Sequence, residues 1–310
     1  MTDTMQTISQ DRLGGPEVLT PATAPVPTPG VSQILVRVHA AGVNPIDATN
    51  RKTGMFLGEP PFTLGWDVSG TVAGVGLGVS VHQVGDEVFG MLPFPSGHGA
   101  YAEYVVVPAR LFVPKPDALT HIEAASLPLA GLTAWQALAE TAHVTAGSRV
   151  LVNGAAGGVG HLAVQIAKAL GAHVTAVVSA PNVDFARALG ADDVIDRATT
   201  DYTKTVRNLD VVLDTTGGDP LPAFDSLKVG GVFVTLAPPV LGPARAEAER
   251  RRIRSATLLV EADRVGMNAL VDLVAGKQLT PVVGATFPLA EAGAAQSTQP
   301  ARGKTVLVVS

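Results

Sequence analysis

Val150-Leu-Val-Asn-Gly-Ala-Ala-Gly-Gly-Val-Gly-His161, running on into Leu162-Ala-Val-Gln-Ile-Ala-Lys-Ala-Leu-Gly171, reads as strand, glycine turn and helix. Arg149 to Asn153 is a short, β-branched, apolar run of the kind buried in a parallel sheet. Leu162, Val164, Ile166, Ala167 and Leu170 recur at helical spacing. Between them, glycines permit positive φ and let backbone come close to a ligand, while the first amides of the helix point outward with partial positive charge. Gly158-x-Gly160-x-x-Ala163 is the dinucleotide spacing with a small third residue. A pyrophosphate is therefore expected against Gly154, Ala155, Gly157, Gly158, Val159 and Gly160.

The sequence around this turn supports a doubly wound α/β domain. Strands are expected at His173 to Val178, Asp193 to Asp196, Asp210 to Asp214 and Gly231 to Leu236, and Thr215 follows the third of these as a further cofactor contact. NAD enzymes place an acid about twenty residues past the glycines to hold the ribose 2′-hydroxyl. Here the segment is Val178-Ser-Ala-Pro-Asn182, with no acid. Ser179 and Asn182 offer hydrogen bonds to a 2′-phosphate, Arg197 offers a nearby cation, and NADPH is the expected cofactor.

The rest of the chain reads differently. Before His121, short alternating runs such as Gln33 to His39, Asp67 to Val75 and Ala102 to Val107 are separated by Pro and Gly, an all-β pattern, with Thr20 to Gly30 read as a loop. Arg245 to Arg254 reads as a solvated helix, Val265 to Ala275 as a helix ended by Gly276, and Lys304 to Val309 as a closing strand. The predicted organisation is a β-rich domain of residues 1–122 and 264–310 interrupted by a Rossmann domain of residues 123–263, with a ligand cleft between them.

The 310 residues carry a net charge of −5 and no basic stripe, which argues against nucleic acid. With no cysteine, disulfides and thiolate metal sites are excluded. No run is long and apolar enough for a membrane span, and Met1 to Gln10 lacks the apolar core of a signal peptide, so a cytoplasmic protein is expected.

Several motifs then accumulate in order: Gly42-Val-Asn44-Pro-Ile-Asp47, Leu64-Gly-Trp-Asp67-Val-Ser-Gly-Thr-Val72, Gly85-Asp-Glu-Val88, Gly99-Ala-Tyr-Ala-Glu-Tyr104, Ala130-Gly-Leu-Thr133-Ala-Trp135, Leu189-Gly-Ala-Asp192 and Gly303-Lys304. With these the chain resembles the zinc-independent quinone oxidoreductases of the medium-chain dehydrogenase/reductase superfamily. The resemblance implies a GroES-like β domain beside a Rossmann domain. It implies no zinc, because the positions of the catalytic ligands are filled by Trp66, Asp67 and the cysteine-free segment Gly42 to Asp47. It also implies Thr133 near the nicotinamide and Asn44 beside the hydride-transfer centre as the catalytic residues.

The implied reaction passes hydride from NADPH to a small quinone or other conjugated carbonyl acceptor, in a homodimer. Two alternatives stay open: an NADPH-dependent reductase of enones and other activated alkenes, and an NADPH-binding sensor without turnover. Thr49 stands where many relatives carry a tyrosine argued to donate a proton, which favours a quinone over an enone. Trp66 and Phe56 are expected to pack, and His98 to sit in a solvated loop.

Overall fold

The computed structural model describes residues 3–237 and 241–309. Its six-stranded sheet is ordered Asp193–Asp196, His173–Val178, Arg149–Asn153, Leu209–Asp214, Leu227–Thr235, Arg254–Thr257, and all of its pairings are parallel. Strand order reverses direction between Arg149–Asn153 and Leu209–Asp214, the place where doubly wound sheets open a crevice at their carboxyl ends. Val150, Leu151 and Val152 have no solvent exposure, as expected for a strand covered on both faces. The helix Gly160–Ala169 follows, with its first eight residues all buried.

The second large sheet has seven strands and is antiparallel except for one pair. Gln33–Val43 lies at its centre, flanked by Asp67–Val75 and Lys304–Val308, with Tyr104–Pro108 also pairing to it. Glu87–Met91 and Phe112–Pro114 extend one side, and Val283–Pro288 closes the other by pairing parallel to Lys304–Val308. This is a two-domain architecture of a GroES-like β-rich unit and a Rossmann unit. The carboxyl-terminal strand belongs to the β-rich sheet, and its register sets Thr305 opposite Val43.

Two expectations fail locally. Thr20 to Pro25 is a strand, paired antiparallel with Thr4–Ser9, where a loop was read from the prolines. Val26 donates to Asp3 O, so Pro21 and Pro25, at odd spacing from it, put their N–H-less nitrogens on the outer edge where the ladder needs no donor. The arginine cluster divides as well: the helix Leu241–Arg250 stops, and Arg254 opens the edge strand of the parallel sheet. Arg252 takes φ 57°, Ile253 N donates to Ala248 O, and this left-handed cap turns the chain out of the helix.

His161 stitches the two units together. Its Nδ1 meets Gly157 O at 2.8 Å, and its Nε2 accepts from Val282 N at 3.1 Å, so the ring is neutral with the proton on Nδ1. One turn on, Gln165 exchanges hydrogen bonds with both backbone groups of Thr280. Burial lowers the His161 pKa to about 4. The unfolded chain then binds a proton that the native state refuses, so His161 costs stability as pH falls below its unfolded value near 6.5. Asp47, raised to about 7 by burial, acts in the opposite sense, and the His161 effect is isolated by difference. The stability gap between wild type and His161→Gln should shrink by about 2 kcal/mol between pH 7 and pH 5 in urea unfolding. A pH-independent gap would show that the imidazole is not held neutral.

Candidate functional site

Asn44 ends the central strand of the β-rich sheet and begins the helix Pro45–Thr53; its backbone N–H donates to Asp47 Oδ2 at 2.7 Å. Its side chain is almost fully buried and its orientation is determined from both ends. Nδ2 donates to Asp67 Oδ2 at 2.8 Å, and Oδ1 accepts from the Lys304 ammonium, which also donates to Val43 O at 2.9 Å. One Asn44 amide proton is left for a ligand.

Asp67 connects this group to the second expected residue. Its Oδ1 accepts from Leu129 N at 2.7 Å, in the first turn of the helix Pro128–Trp135. Thr133, one turn further, donates its hydroxyl proton to Leu129 O at 2.6 Å. Its oxygen lone pairs remain able to accept. Asn44 and Thr133, 89 positions apart in sequence, are thus linked to one carboxylate, Asn44 directly and Thr133 through Leu129.

The charges are buried together. Asp67 has no solvent exposure and Lys304 4%, with Nζ 3.9 Å from Asp67 Oδ2. Burial raises the Asp67 carboxyl and is opposed by Lys304; burial lowers the Lys304 ammonium and is opposed by Asp67 and Asp47. Asp47 is pushed up to about 7 by burial, against the donations from Asn44 N and from the Tyr101 hydroxyl at 2.8 Å. Asp47 therefore braces the start of the helix Pro45–Thr53 and belongs to the same network. Asp67 and Lys304 stand in motifs of the sequence, but no role at the site was read for either. The available signal was an acid beside Trp66 in a buried strand and a lysine at the mouth of an apolar one.

At the glycine turn, Gly154 has φ 81°, and a Cβ there would stand 2.4 Å from the Thr215 hydroxyl oxygen. Thr215 itself donates to Asn153 O at 2.8 Å, which closes the switch point. A Cβ on Gly160 would fall 2.2 Å from Gly154 O, so this glycine serves the packing of helix on turn. Gly158 is different: its Cβ would meet the Lys304 stem at 3.0 Å, so the space beside it is shared between any ligand and Lys304. The N–H groups of Gly158 and Val159 have no partner among the described residues. Ala155 N donates to Val177 O at 3.1 Å.

Of the residues expected at a 2′-phosphate, Ser179 is half-buried and Arg197 exposed, the latter tied to the strand end by Arg197 N→Val178 O at 2.9 Å. Asn182 is buried, and its Nδ2 donates to Ser179 Oγ and Ala301 O. It presents no spare donor and braces the turn. Thr49 gives its hydroxyl to Pro45 O at 3.2 Å. Trp66 is fully buried and packs edge-on to Phe94, which packs edge-on to Phe56. His98 is held by Thr63 O at 2.7 Å, where a solvated loop side chain was expected. Among the described residues no three His, Cys, Asp or Glu cluster as metal ligands.

Removing the Lys304 charge should leave Asp67 uncompensated in the interior. Lys304→Met is expected to lose about 3 to 5 kcal/mol in urea unfolding, and Asp67→Asn in the same chain to recover much of it. A double variant no more stable than the single one would show that the two charges are not coupled.

The chain matches the family profile described as alcohol dehydrogenase GroES-like domain over residues 30–117, and that described as zinc-binding dehydrogenase over residues 189–307. It is 35% identical to the human mitochondrial NAD(P)H oxidoreductase RTN4IP1 over 90% of this chain and 82% of that one. It is 33% identical to the chloroplast envelope quinone oxidoreductase homolog of Arabidopsis thaliana, over 90% and 89%. A trans-enoyl reductase of Aspergillus terreus, pgmF, is 40% identical over 61% of this chain and 56% of its own.

Among solved structures, the quinone oxidoreductase from Coxiella burnetii superposes with a TM-score of 0.92 at 35% identity, covering 99% of this chain and 100% of that one. The Escherichia coli quinone oxidoreductase complexed with NADPH superposes at 0.88 with 27% identity, over 99% and 100%. The expected cytoplasmic location does not stand: the curated relatives named mitochondrial and chloroplast are organellar proteins, and composition and the polar first residues carry no weight against that. With 35% identity over 90% of the chain to one relative and a fold that superposes over 99% of it on a quinone oxidoreductase, the chain belongs to the zinc-independent quinone oxidoreductase family of the medium-chain dehydrogenase/reductase superfamily.

Proposed function

We propose that this oxidoreductase reduces quinones with NADPH and without metal. The observation that carries the proposal is one buried carboxylate that holds Asn44 directly and Thr133 through Leu129, together with a glycine turn whose Gly158 and Val159 amides have no partner among the described residues. The fit to a dinucleotide is supported by those amides at the start of a ten-residue helix, whose dipole favours an anion. In this proposal Gly154, Ala155, Gly157, Gly158, Val159, Gly160 and Thr215 line the pyrophosphate and its ribose. Ser179 and Arg197 stand at the adenosine end, with Asn182 as a brace.

Bound NADPH supplies the hydride. Thr133, its proton committed to Leu129 O, would accept from the carboxamide of the bound cofactor and so orient its nicotinamide. Asn44 offers its remaining amide proton to the acceptor oxygen, where negative charge develops. Positioning by these groups supplies most of the acceleration.

The acceptor class follows from proton supply. A reduced quinone oxygen has a phenol-like pKa and takes its proton from water, whereas an enone must be protonated at carbon, for which a placed acid contributes about 10²- to 10⁴-fold. Thr49 is a poor acid and is bound to its own helix. The enone reading retains support from the resemblance to pgmF. With 9,10-phenanthrenequinone and 2-cyclohexenone as paired substrates, enone kcat/KM should be lower by at least about tenfold, and Thr49→Val should change the quinone rate little. A faster enone reaction that collapses in Thr49→Val would replace this proposal with the alkene reductase. Binding of NADPH without turnover of either substrate would point to the sensor.

A homodimer belongs to the same proposal. The edge strand Arg254–Thr257 pairs on one side, and beside it Leu259 and Val265 are 50% and 76% exposed, apolar surface suited to a second copy. Light scattering should give twice the chain mass, and the mass of one chain at micromolar concentration would refute this.

A further inference from the structure

We propose that Arg302, in the loop before the last strand of the β-rich sheet, is the main determinant of preference for a dinucleotide bearing a 2′-phosphate; this rests on the NADPH reading above. The 2′ position of a nucleotide on this fold falls at the carboxyl end of the second strand, here His173–Val178, at the turn Ser179 to Asn182. Arg302 reaches that turn from outside the parallel sheet. Its Nε donates to Asn182 Oδ1 at 2.8 Å, its Nη2 donates to Pro181 O at 2.8 Å, and its Cζ lies 5.0 Å from the centre of the Phe185 ring. Gly303 N donates to Ala156 O at 2.9 Å, which sets the loop in register with the glycine turn.

These contacts hold the guanidinium in one orientation while both Nη1 protons and the second Nη2 proton keep no partner among the described residues, on an exposed side chain. Two N–H groups side by side match two oxygens of a phosphate. Because the fork is already braced, less rotamer freedom is lost on binding than at a free arginine. Arg197 is such a free arginine, its side chain exposed and without a hydrogen bond or ion pair among the described residues. Ser179 adds a hydroxyl whose proton is uncommitted, since its Oγ accepts from Asn182. Two acids close in sequence to this turn and to Arg197 have partners: Asp184 pairs with Arg187 at 2.9 Å, and Asp196 accepts from Ala198 N at 3.0 Å.

The test is equilibrium titration of the full-length wild type, Arg302→Gln and Arg197→Gln with NADPH, NADH, 2′,5′-ADP and ADP. Arg302→Gln should weaken NADPH and 2′,5′-ADP about 10- to 100-fold and leave NADH and ADP within about twofold, with a smaller loss in Arg197→Gln. Equal losses for phosphorylated and unphosphorylated ligands would reduce Arg302 to a brace for Asn182 and overturn the proposal. So would unchanged NADPH binding, or loss of the preference only in Arg197→Gln. A wild type that binds NADPH no more tightly than NADH would overturn the cofactor reading itself, and the role of Arg302 with it.

Discussion

One ammonium group in the interior holds this protein's site together. Lys304 enters a space lined by two carboxylates, those of Asp67 and Asp47, and by the carbonyl oxygen of Asn44. None of these is at ease there alone: an unpaired buried charge costs several kcal/mol, and each lowers that cost for the others only when all are present. The outcome is geometric. Asp67 cannot turn without losing Leu129 N or Asn44 Nδ2, and Asn44 cannot flip without setting its amide nitrogen against the ammonium. A positioned amide and a positioned hydroxyl follow from burying charge.

The same lysine explains how the two sheets cooperate. Ala301 O accepts from Asn182 at the adenosine turn, Gly303 N donates to the glycine turn, and the Lys304 side chain crosses beside Gly158 to Asn44. On the cofactor placement proposed above, residues 301–304 would flank the dinucleotide from its adenosine end to its reactive end. Lys304 opens a strand of the β-rich sheet, pairing with Val283, while Ala301 and Gly303 bond to the Rossmann unit. His161 and Gln165 secure Thr280 and Val282, the latter accepting from Lys304 N at 2.9 Å.

A positioned amide suits acceptors that tolerate weak polarisation. A conjugated acceptor spreads the charge that arrives with hydride, so a fixed dipole in a water-poor site is enough to favour the transition state. Trp66, the neighbour of Asp67 in sequence, is fully buried and packs edge-on to Phe94, which packs edge-on to Phe56.

The local sequence was enough to determine the strand, turn and helix from Arg149 to Ala169, because β-branched runs, glycine spacing and helical periodicity act over a few residues. The strands His173–Val178 and Asp193–Asp196 were legible for the same reason. Thr20–Pro25 was not, since a proline strand depends on which edge faces its partner, and neither was Arg254–Thr257, whose pairing lies in another segment. Asn44 and Thr133 were visible as polar residues in motifs, but their common anchor was not. Asp67 and Lys304 meet only because antiparallel register sets Thr305 against Val43, across more than two hundred residues of intervening chain. Contact between residues so distant is decided by sheet pairing and by the cost of leaving a buried charge alone, and neither is written in any one segment.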